Sequence, residues 1–125
     1  MKISEKGHLL RIFIGEQDSY ENMPLYEWIV RRARKNGLAG ATVLRGVEGF
    51  GAKSRLHTAK ILQLSMDLPV IVEIVDSKKK IEEFMKVIEH AISDGLATLE
   101  DVEIFFYRAG NGNQRLEGSD EKSQL

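Results

Sequence analysis

The pattern of apolar and polar positions predicts four principal strands and two helices. Apolar residues dominate segment 8–15, which is typical of a central strand that is covered on at least one face. Segments 41–47, 69–75 and 102–107 are the other predicted strands, and 61–64 is a candidate for a short additional one. All of these strands are separated by polar or glycine-rich segments, as expected for one compact domain.

Two segments between these strands have the periodicity of amphipathic helices. The first follows Pro24 and stops at Gly37, and the second follows an N-cap at Asp76 or Ser77 and stops at Gly95. The element order is therefore β-α-β, a loop, and again β-α-β. This order predicts an α+β fold, a ferredoxin-like βαββαβ sandwich with an antiparallel sheet and two helices on one face. The sheet face without helices predicts an oligomer.

Composition limits the classes of function. The 125 residues suffice for one domain, which we expect to span residues 1–109, with a disordered C-terminal tail at 110–125. The chain has no cysteine, and its three histidines lack the spacing of metal ligands, so we expect no metal centre. A net charge of −1 argues against broad nucleic-acid binding, and no apolar run is long enough to insert in a membrane. We therefore expect a cytoplasmic protein.

The segment 37–58 carries the main functional signal. It is rich in glycine, and Gly46, Gly49 and Gly51 follow one another where a predicted strand leads into a loop. Exposed backbone N–H groups beside basic side chains form a cradle for phosphate. The glycine spacing matches neither a P-loop nor a dinucleotide-binding fingerprint. The segment therefore predicts an anionic ligand, with a nucleotide as the first candidate.

Three basic side chains are candidates for contacts with such a ligand. Arg45 lies on a predicted strand, where we expect it to point away from the helices or into a subunit cleft, and Arg108 follows the last strand. Arginine suits bidentate phosphate contact, but a structural salt bridge explains these positions equally well. His57 lies in the glycine-rich segment, where it shapes the loop, binds the ligand or acts as an acid or base.

Longer motifs resemble a known family. GLAGATVLRGVEGFG at 37–51, LHT at 56–58 and SMDLPVIVEIVD at 65–76 resemble the P-II-like family known as domain of unknown function 190. The resemblance extends over about residues 8–109. That family is similar to the P-II nitrogen-regulatory signalling proteins. These are ferredoxin-like homotrimers that bind ATP or ADP between subunits and contact partner proteins through a long loop after the second strand.

The resemblance implies a set of binding residues. The GFG at 49–51 corresponds to the start of the P-II loop, His57 to its His-Thr pair, and Arg108 to basic residues after the fourth strand. Thr42 corresponds to a segment that faces the nucleotide of a neighbouring subunit. The segment 100–103 stands where P-II proteins have a glycine- and lysine-containing phosphate loop before the last strand, and its carboxylates would favour a diphosphate over a triphosphate. The predicted ligand-binding residues are Arg45, Gly46, Gly49, Phe50, Gly51, His57 and Arg108.

We therefore expect a P-II-like regulatory homotrimer that binds an adenine nucleotide, ADP or ATP, at its subunit interfaces. The resemblance implies no required cofactor and no catalytic residue, with Mg²⁺ as a candidate co-ligand. The loop at 52–60 would contact an unidentified regulated protein, for which a transporter or an enzyme is a candidate. One alternative is a small phosphotransferase or phosphatase that uses His57. Another is a structural oligomer in which the glycines only shape a loop.

Overall fold

A computed structural model of the chain describes residues 5–51, 57–58 and 67–110. The predicted strand at 61–64 and the predicted tail beyond residue 110 lie outside the described residues. In chain order the elements are β1 (Glu5–Gly15), β2 (Ser19–Tyr20), β3 (Met23–Pro24), α1 (Leu25–Lys35), β4 (Thr42–Arg45), β5 (Glu48–Gly49), β6 (His57–Thr58), β7 (Pro69–Asp76), α2 (Lys78–Ile88), a 3₁₀ turn (Glu89–Ala91) and β8 (Leu96–Ile104). In the described part of the chain, no helix has the length and apolar character that a membrane span requires.

The main sheet has four strands in the order β4-β7-β1-β8, and every neighbouring pair is antiparallel. Each helix connects two strands that have a third strand between them: β7 lies between β4 and β1, and β1 lies between β7 and β8. This is the arrangement of a ferredoxin-like sandwich. The predicted α+β fold is therefore confirmed.

Alternation along the two central strands places one row of apolar side chains under the helices. In register, Leu10 lies beside Ile74 and Ile12 beside Val72, and these four side chains are at most 2% exposed. Successive strand residues point to opposite faces, so every second position reaches the core. The helices complete this core with Leu25, Trp28, Ile29, Ala33, Ile81, Phe84 and Ile88.

The opposite face of the sheet is not covered by any described element. One row across it consists of the register partners Leu44, Ile71, Phe13 and Leu96, of which Leu44 and Leu96 are 44% and 58% exposed. The next row contains a charged group in the middle of the sheet.

That charged group is Arg11, which binds two carboxylates on the same face. Its Nε lies 2.9 Å from Glu73, and its Nη1 lies 3.1 Å from Glu100. The hydrogen bond to Glu73 is the main reason that the pKa of Arg11 is raised above its ordinary value. The uncovered face is therefore largely apolar, and its central arginine already has partners within the chain.

The last strand differs from the prediction. β8 covers Leu96–Ile104, whereas the sequence predicted 102–107. β8 is an edge strand whose residues are mostly exposed, and the apolar and polar residues of its first half do not alternate regularly, so the more apolar segment at 102–107 was predicted instead. Segment 100–103 therefore lies inside β8 and not before it. Glu100 binds Arg11, and Asp101 lies 3.0 Å from Nε2 of His8.

The observed boundaries of other elements also differ from the predicted ones. β4 ends at Arg45, two residues before the predicted end of this strand, and α2 changes to a 3₁₀ turn after Ile88 instead of continuing to Gly95. The segment before α1 contains the short β2–β3 hairpin, in which Glu21 and Asn22 have φ angles of 51° and 65°. Positive φ at both central residues is the geometry of a tight hairpin turn.

A buried carboxylate connects α2 to the segment before β4. The side chain of Asp76 is 8% exposed and accepts hydrogen bonds from the N–H groups of Ala39 at 2.8 Å and Ser77 at 2.7 Å. Lys80 donates from Nζ to the carbonyl oxygen of Gly37 at 2.6 Å. Ser77 caps the helix, since its Oγ accepts from the N–H of Lys80. These contacts hold residues 37–41 against one end of the sheet.

We predict that Asp76→Asn lowers the free energy of unfolding by about 2–3 kcal/mol, because a buried backbone N–H would lose its charged acceptor. Urea unfolding monitored by circular dichroism measures this change. Asp101→Asn is the matched control: the side chain of Asp101 is 91% exposed. The control should change the free energy of unfolding by less than about 1 kcal/mol. Equal losses in the two variants would contradict the structural role of Asp76.

Candidate functional site

The predicted ligand-binding residues lie at two opposite ends of the sheet. We call one of them the glycine end: it comprises residues 15–18, 45–51 and 67–69, where β1 and β4 finish and β7 begins. We call the other the threonine end: it comprises residues 37–42 and 104–108, where β4 begins and β8 finishes. Each end consists of segments that are distant in sequence and lie close together in the fold.

Arg45 contributes the cation of the glycine end. It is the last residue of β4 and lies opposite Val70, whose side chain points toward the helices. Its Nη2 lies 2.5 Å from Oε2 of Glu16, and the N–H of Glu16 donates to Leu68 at 2.8 Å. Of the two predicted orientations, the one away from the helices is not observed, because Arg45 is the register partner of the core residue Val70, while the orientation into a subunit cleft stays a prediction. The structural salt bridge that the sequence left open is confirmed.

Pro69 lies against positions 46 and 49 and leaves little room for a side chain at either of them. A Cβ atom at Gly46 would lie 2.9 Å from Cγ of Pro69, and one at Gly49 would lie 3.2 Å from the same atom. The N–H of Gly46 donates to the carbonyl oxygen of Pro69 at 2.7 Å. Packing therefore explains both glycines, and the N–H of Gly46 already has an acceptor within the chain.

The rest of the glycine-rich segment is more open. A Cβ atom at Gly51 would meet no atom of the described residues within 4 Å, and the side chain of Phe50 is 69% exposed. The backbone of His57 pairs with Gly49 in the β5–β6 ladder, which brings His57 to the glycine end. The side-chain roles considered for His57 lie outside what the structure describes. Packing within the described residues therefore gives no reason for glycine at position 51.

The glycine end is more acidic than the sequence alone suggested. Its described residues include one arginine and four carboxylates, on Glu16, Asp18, Glu48 and Asp67. Asp18 accepts a hydrogen bond from the N–H of Gly15 at 3.0 Å, and Asp67 accepts one from the N–H of Gln17 at 2.8 Å. The sequence did not reveal this acidic character, because Glu16, Asp18 and Asp67 lie outside the glycine-rich segment and reach this end through the fold. No group of metal-ligating side chains converges here or elsewhere among the described residues.

The threonine end contains a shallow cavity. Its volume is about 240 Å³, and one wall is formed by Tyr107, whose hydroxyl donates to the carbonyl oxygen of Ala39 at 2.6 Å. Gly40 leaves space, because a Cβ atom there would meet nothing within 4 Å. The lining residues are Ala39, Gly40, Ala41, Thr42, Glu73, Val75, Ile104 and Tyr107. Tyr107 and Ile104 were not predicted as site residues, since the sequence placed this segment in a strand.

Arg108 lies at the threonine end and not beside the glycines. It follows Tyr107 directly, and its guanidinium stacks 4.2 Å from the centre of the Phe106 ring. The four residues of β4 separate the two ends by about 10 Å. One chain therefore brings Arg45 together with Gly46, Gly49, Phe50 and Gly51, but it does not bring Arg108 to them.

Sequence comparison places the chain in a family. The family model described as DUF190, Uncharacterized ACR, matches residues 7–104. The chain belongs to the DUF190 family. Among relatives in this family, a UPF0166 protein of Aquifex aeolicus is 44% identical over 101 residues, which cover 81% of this chain and 95% of that protein. The family resemblance seen in the sequence motifs is confirmed.

Solved structures show the same fold as this DUF190 chain. CPII, a nitrogen regulatory PII-like protein from Thiomonas intermedia K12 whose structure was determined with ADP and bicarbonate, has a TM-score of 0.62 at 10% identity. That likeness covers 82% of this chain and 91% of CPII. A candidate PII-like signalling protein from Thermus thermophilus has a TM-score of 0.59 at 17% identity and covers 83% of this chain and 93% of its own. The DUF190 chain therefore has the PII-like ferredoxin-like fold.

We predict that Gly46→Ala lowers the free energy of unfolding by about 1–3 kcal/mol, because the added Cβ overlaps Pro69. Gly51→Ala is the control, since its Cβ meets no neighbouring atom, and it should change this free energy by less than about 1 kcal/mol. Thermal unfolding of the two variants measures the difference. A Gly46→Ala protein as stable as the Gly51→Ala protein would show that Pro69 does not require glycine at position 46.

Proposed function

We propose that this protein is a P-II-like regulatory homotrimer that binds an adenine nucleotide, ADP or ATP, where two subunits meet. The observation that carries the proposal is the separation of the predicted binding residues into two half-sites. The glycine end has Arg45 and Gly51, whereas Arg108 and Thr42 belong to the threonine end. A neighbouring subunit is needed to bring such halves together. The ADP found in the related fold of CPII supports an adenine nucleotide as the ligand.

The uncovered sheet face supports the oligomer. The row of Leu44, Ile71, Phe13 and Leu96 crosses all four strands and includes side chains that are about half exposed in one chain. Burial of apolar surface contributes about 25 cal/mol for each Å² removed from water. A partner subunit that covers this face would therefore gain stability from these side chains, and Arg11 would not be left unpaired.

Charge supports a head-to-tail arrangement of the subunits. The glycine end carries one arginine and four carboxylates in its described residues. Beside the threonine end, the end of α1 lies close to the first turn of α2, because Lys80 of α2 donates a hydrogen bond to the carbonyl oxygen of Gly37, two residues after α1. The exposed cations of that region are Arg34, Lys35, Lys78, Lys79, Lys80 and Arg108. Among the described residues, the acidic glycine end and these cations beside the threonine end have opposite charge, which favours contact between the glycine end of one subunit and the threonine end of the next.

The two half-sites would bind different parts of the nucleotide. The cavity at the threonine end, with Thr42 and the Tyr107 ring in its wall, would receive the adenosine part of the nucleotide. Arg108 of that subunit and Arg45 of the next would contact the phosphates, with Mg²⁺ as a candidate co-ligand. Nucleotide binding would then change the conformation that loop 52–60 presents to an unidentified regulated protein, such as a transporter or an enzyme.

We predict that ADP or ATP raises the melting temperature of the wild-type protein in a saturable titration. A ligand at 100 times its dissociation constant adds about 2.7 kcal/mol of stability, which a thermal-shift assay detects. Titrations with and without Mg²⁺ and bicarbonate rank the ligand combinations. Gly51→Val should abolish the shift while the oligomer, measured by light scattering, stays intact. The absence of any shift with ADP, ATP or AMP would contradict the proposal.

A mixing experiment tests whether the site spans two subunits. We predict that Arg45→Ala and Arg108→Ala each bind nucleotide weakly, because each removes one phosphate contact from every site. After the two variants are unfolded and refolded together, mixed trimers contain boundaries in which both arginines are present. In an equal mixture, about a quarter of all boundaries are restored. Nucleotide binding by calorimetry should therefore reappear in the mixture and in neither variant alone; no recovery would contradict a shared site.

A further inference from the structure

Glu16 forms an ion pair with Arg45, the arginine among the described residues of the glycine end. Its Oε2 lies 2.5 Å from Nη2 of Arg45. The side chain of Glu16 is 19% exposed, whereas that of Arg45 is 61% exposed. The N–H of Glu16 donates to the carbonyl oxygen of Leu68, which fixes the backbone of Glu16 at the end of β1. The carboxylate is therefore the shielded member of the pair, and the guanidinium is the member that faces solvent.

Among the described residues of the glycine end, Arg45 is the cation that can attract an anion. The N–H of Gly46 is bonded to Pro69, and Gly49 belongs to the β5–β6 ladder. The described carboxylates outnumber the arginine by four to one. Within these described residues, the positive charge available to a phosphate is that of Arg45, and Glu16 is its counter-ion.

Glu16 has two opposite effects on phosphate binding: it repels the phosphate, and it holds Arg45 in one conformation. A phosphate and a carboxylate that contact the same guanidinium lie about 6 Å apart. Two unit charges at that distance repel by an amount equal to about a three-fold change in affinity in bulk water, and to about a hundred-fold change at the effective dielectric of a protein surface. Holding Arg45 in one conformation favours binding by about two- to ten-fold. For a single ligand charge these two ranges overlap. Nucleotide di- and triphosphates carry more than one charge, and each added charge increases the repulsion from Glu16 but not the gain from holding Arg45, so the repulsion is the larger effect for these ligands.

We infer that Glu16 is an internal counter-ion that limits the affinity of this site for phosphate and its preference for highly charged nucleotides. Each nucleotide must share or displace the Glu16–Arg45 pair. The inference rests on the nucleotide-binding function proposed above and adds the residue that sets its affinity.

Calorimetric titration of the full chain with ADP, ATP and AMP tests this role in Glu16→Gln. The variant should bind ADP about three- to thirty-fold more tightly than the wild type. The gain should be larger for ATP than for AMP, and it should shrink when salt is raised from about 0.1 M to about 0.5 M. A purely structural role of Glu16 would not produce this dependence on ligand charge.

Glu27→Gln is the matched control. Glu27 pairs with Arg31 on α1 at 2.7 Å, so this variant also breaks a Glu–Arg pair, one that does not include Arg45. It should leave all three affinities unchanged. Glu16→Ala, which removes the pair without introducing an amide, should show the same gain as Glu16→Gln. Melting curves of the variants verify that the affinities belong to folded protein.

Pyrophosphate separates failure of this inference from failure of the proposed function. If no adenine nucleotide binds the wild type but Glu16→Gln binds pyrophosphate more tightly than the wild type does, the nucleotide function fails and the role of Glu16 stands. If folded Glu16→Gln and Glu16→Ala bind ADP and pyrophosphate no more tightly than the wild type, the role of Glu16 is refuted. That conclusion holds whether or not the wild type binds ADP.

Discussion

The central position of β1 is the constraint on which the rest of the structure depends. β1 pairs with β7 on one side and with β8 on the other. Because its successive side chains alternate between the two faces of the sheet, they form two rows on two different surfaces. One row, which includes Ile12, lies in the core under the helices. The other row contains Phe13 and Arg11 on the uncovered face. A shift of one residue in this strand would bury Arg11 and expose Ile12, so the pairing register is strongly determined.

β7 contacts both ends of the sheet at which the proposed half-sites lie. At its start, Pro69 lies against the glycine-rich segment and accepts the N–H of Gly46. At its end, the buried carboxylate of Asp76 holds the N–H of Ala39, in the wall of the cavity. The same strand therefore keeps the two halves apart within one chain. That separation is the reason a neighbouring subunit enters the proposed function.

Much of the fold was predictable from the sequence, and the misplaced elements have a common cause. Strands β1 and β7 are buried on at least one face, and α2 has a regular apolar stripe, so each has a strong periodic pattern. β8 lies at the sheet edge with mostly exposed residues, and such a strand has no apolar pattern to reveal it. The candidate site was predicted in part: the glycine-rich segment and Arg45 lie together, but Glu16 and Tyr107 were missed.

The sequence by itself determined the fold class and the family, because local periodicity and contiguous motifs are both written along the chain. Only the tertiary structure decided which groups act on one another. Arg45 and Glu16 are 29 positions apart, and Ala39 and Asp76 are 37 positions apart. These pairs form because strand register brings the ends of β1, β4 and β7 together, and register is a property of the whole sheet. For the same reason, the sequence indicated a basic phosphate cradle where the folded chain has an arginine already bound to a carboxylate.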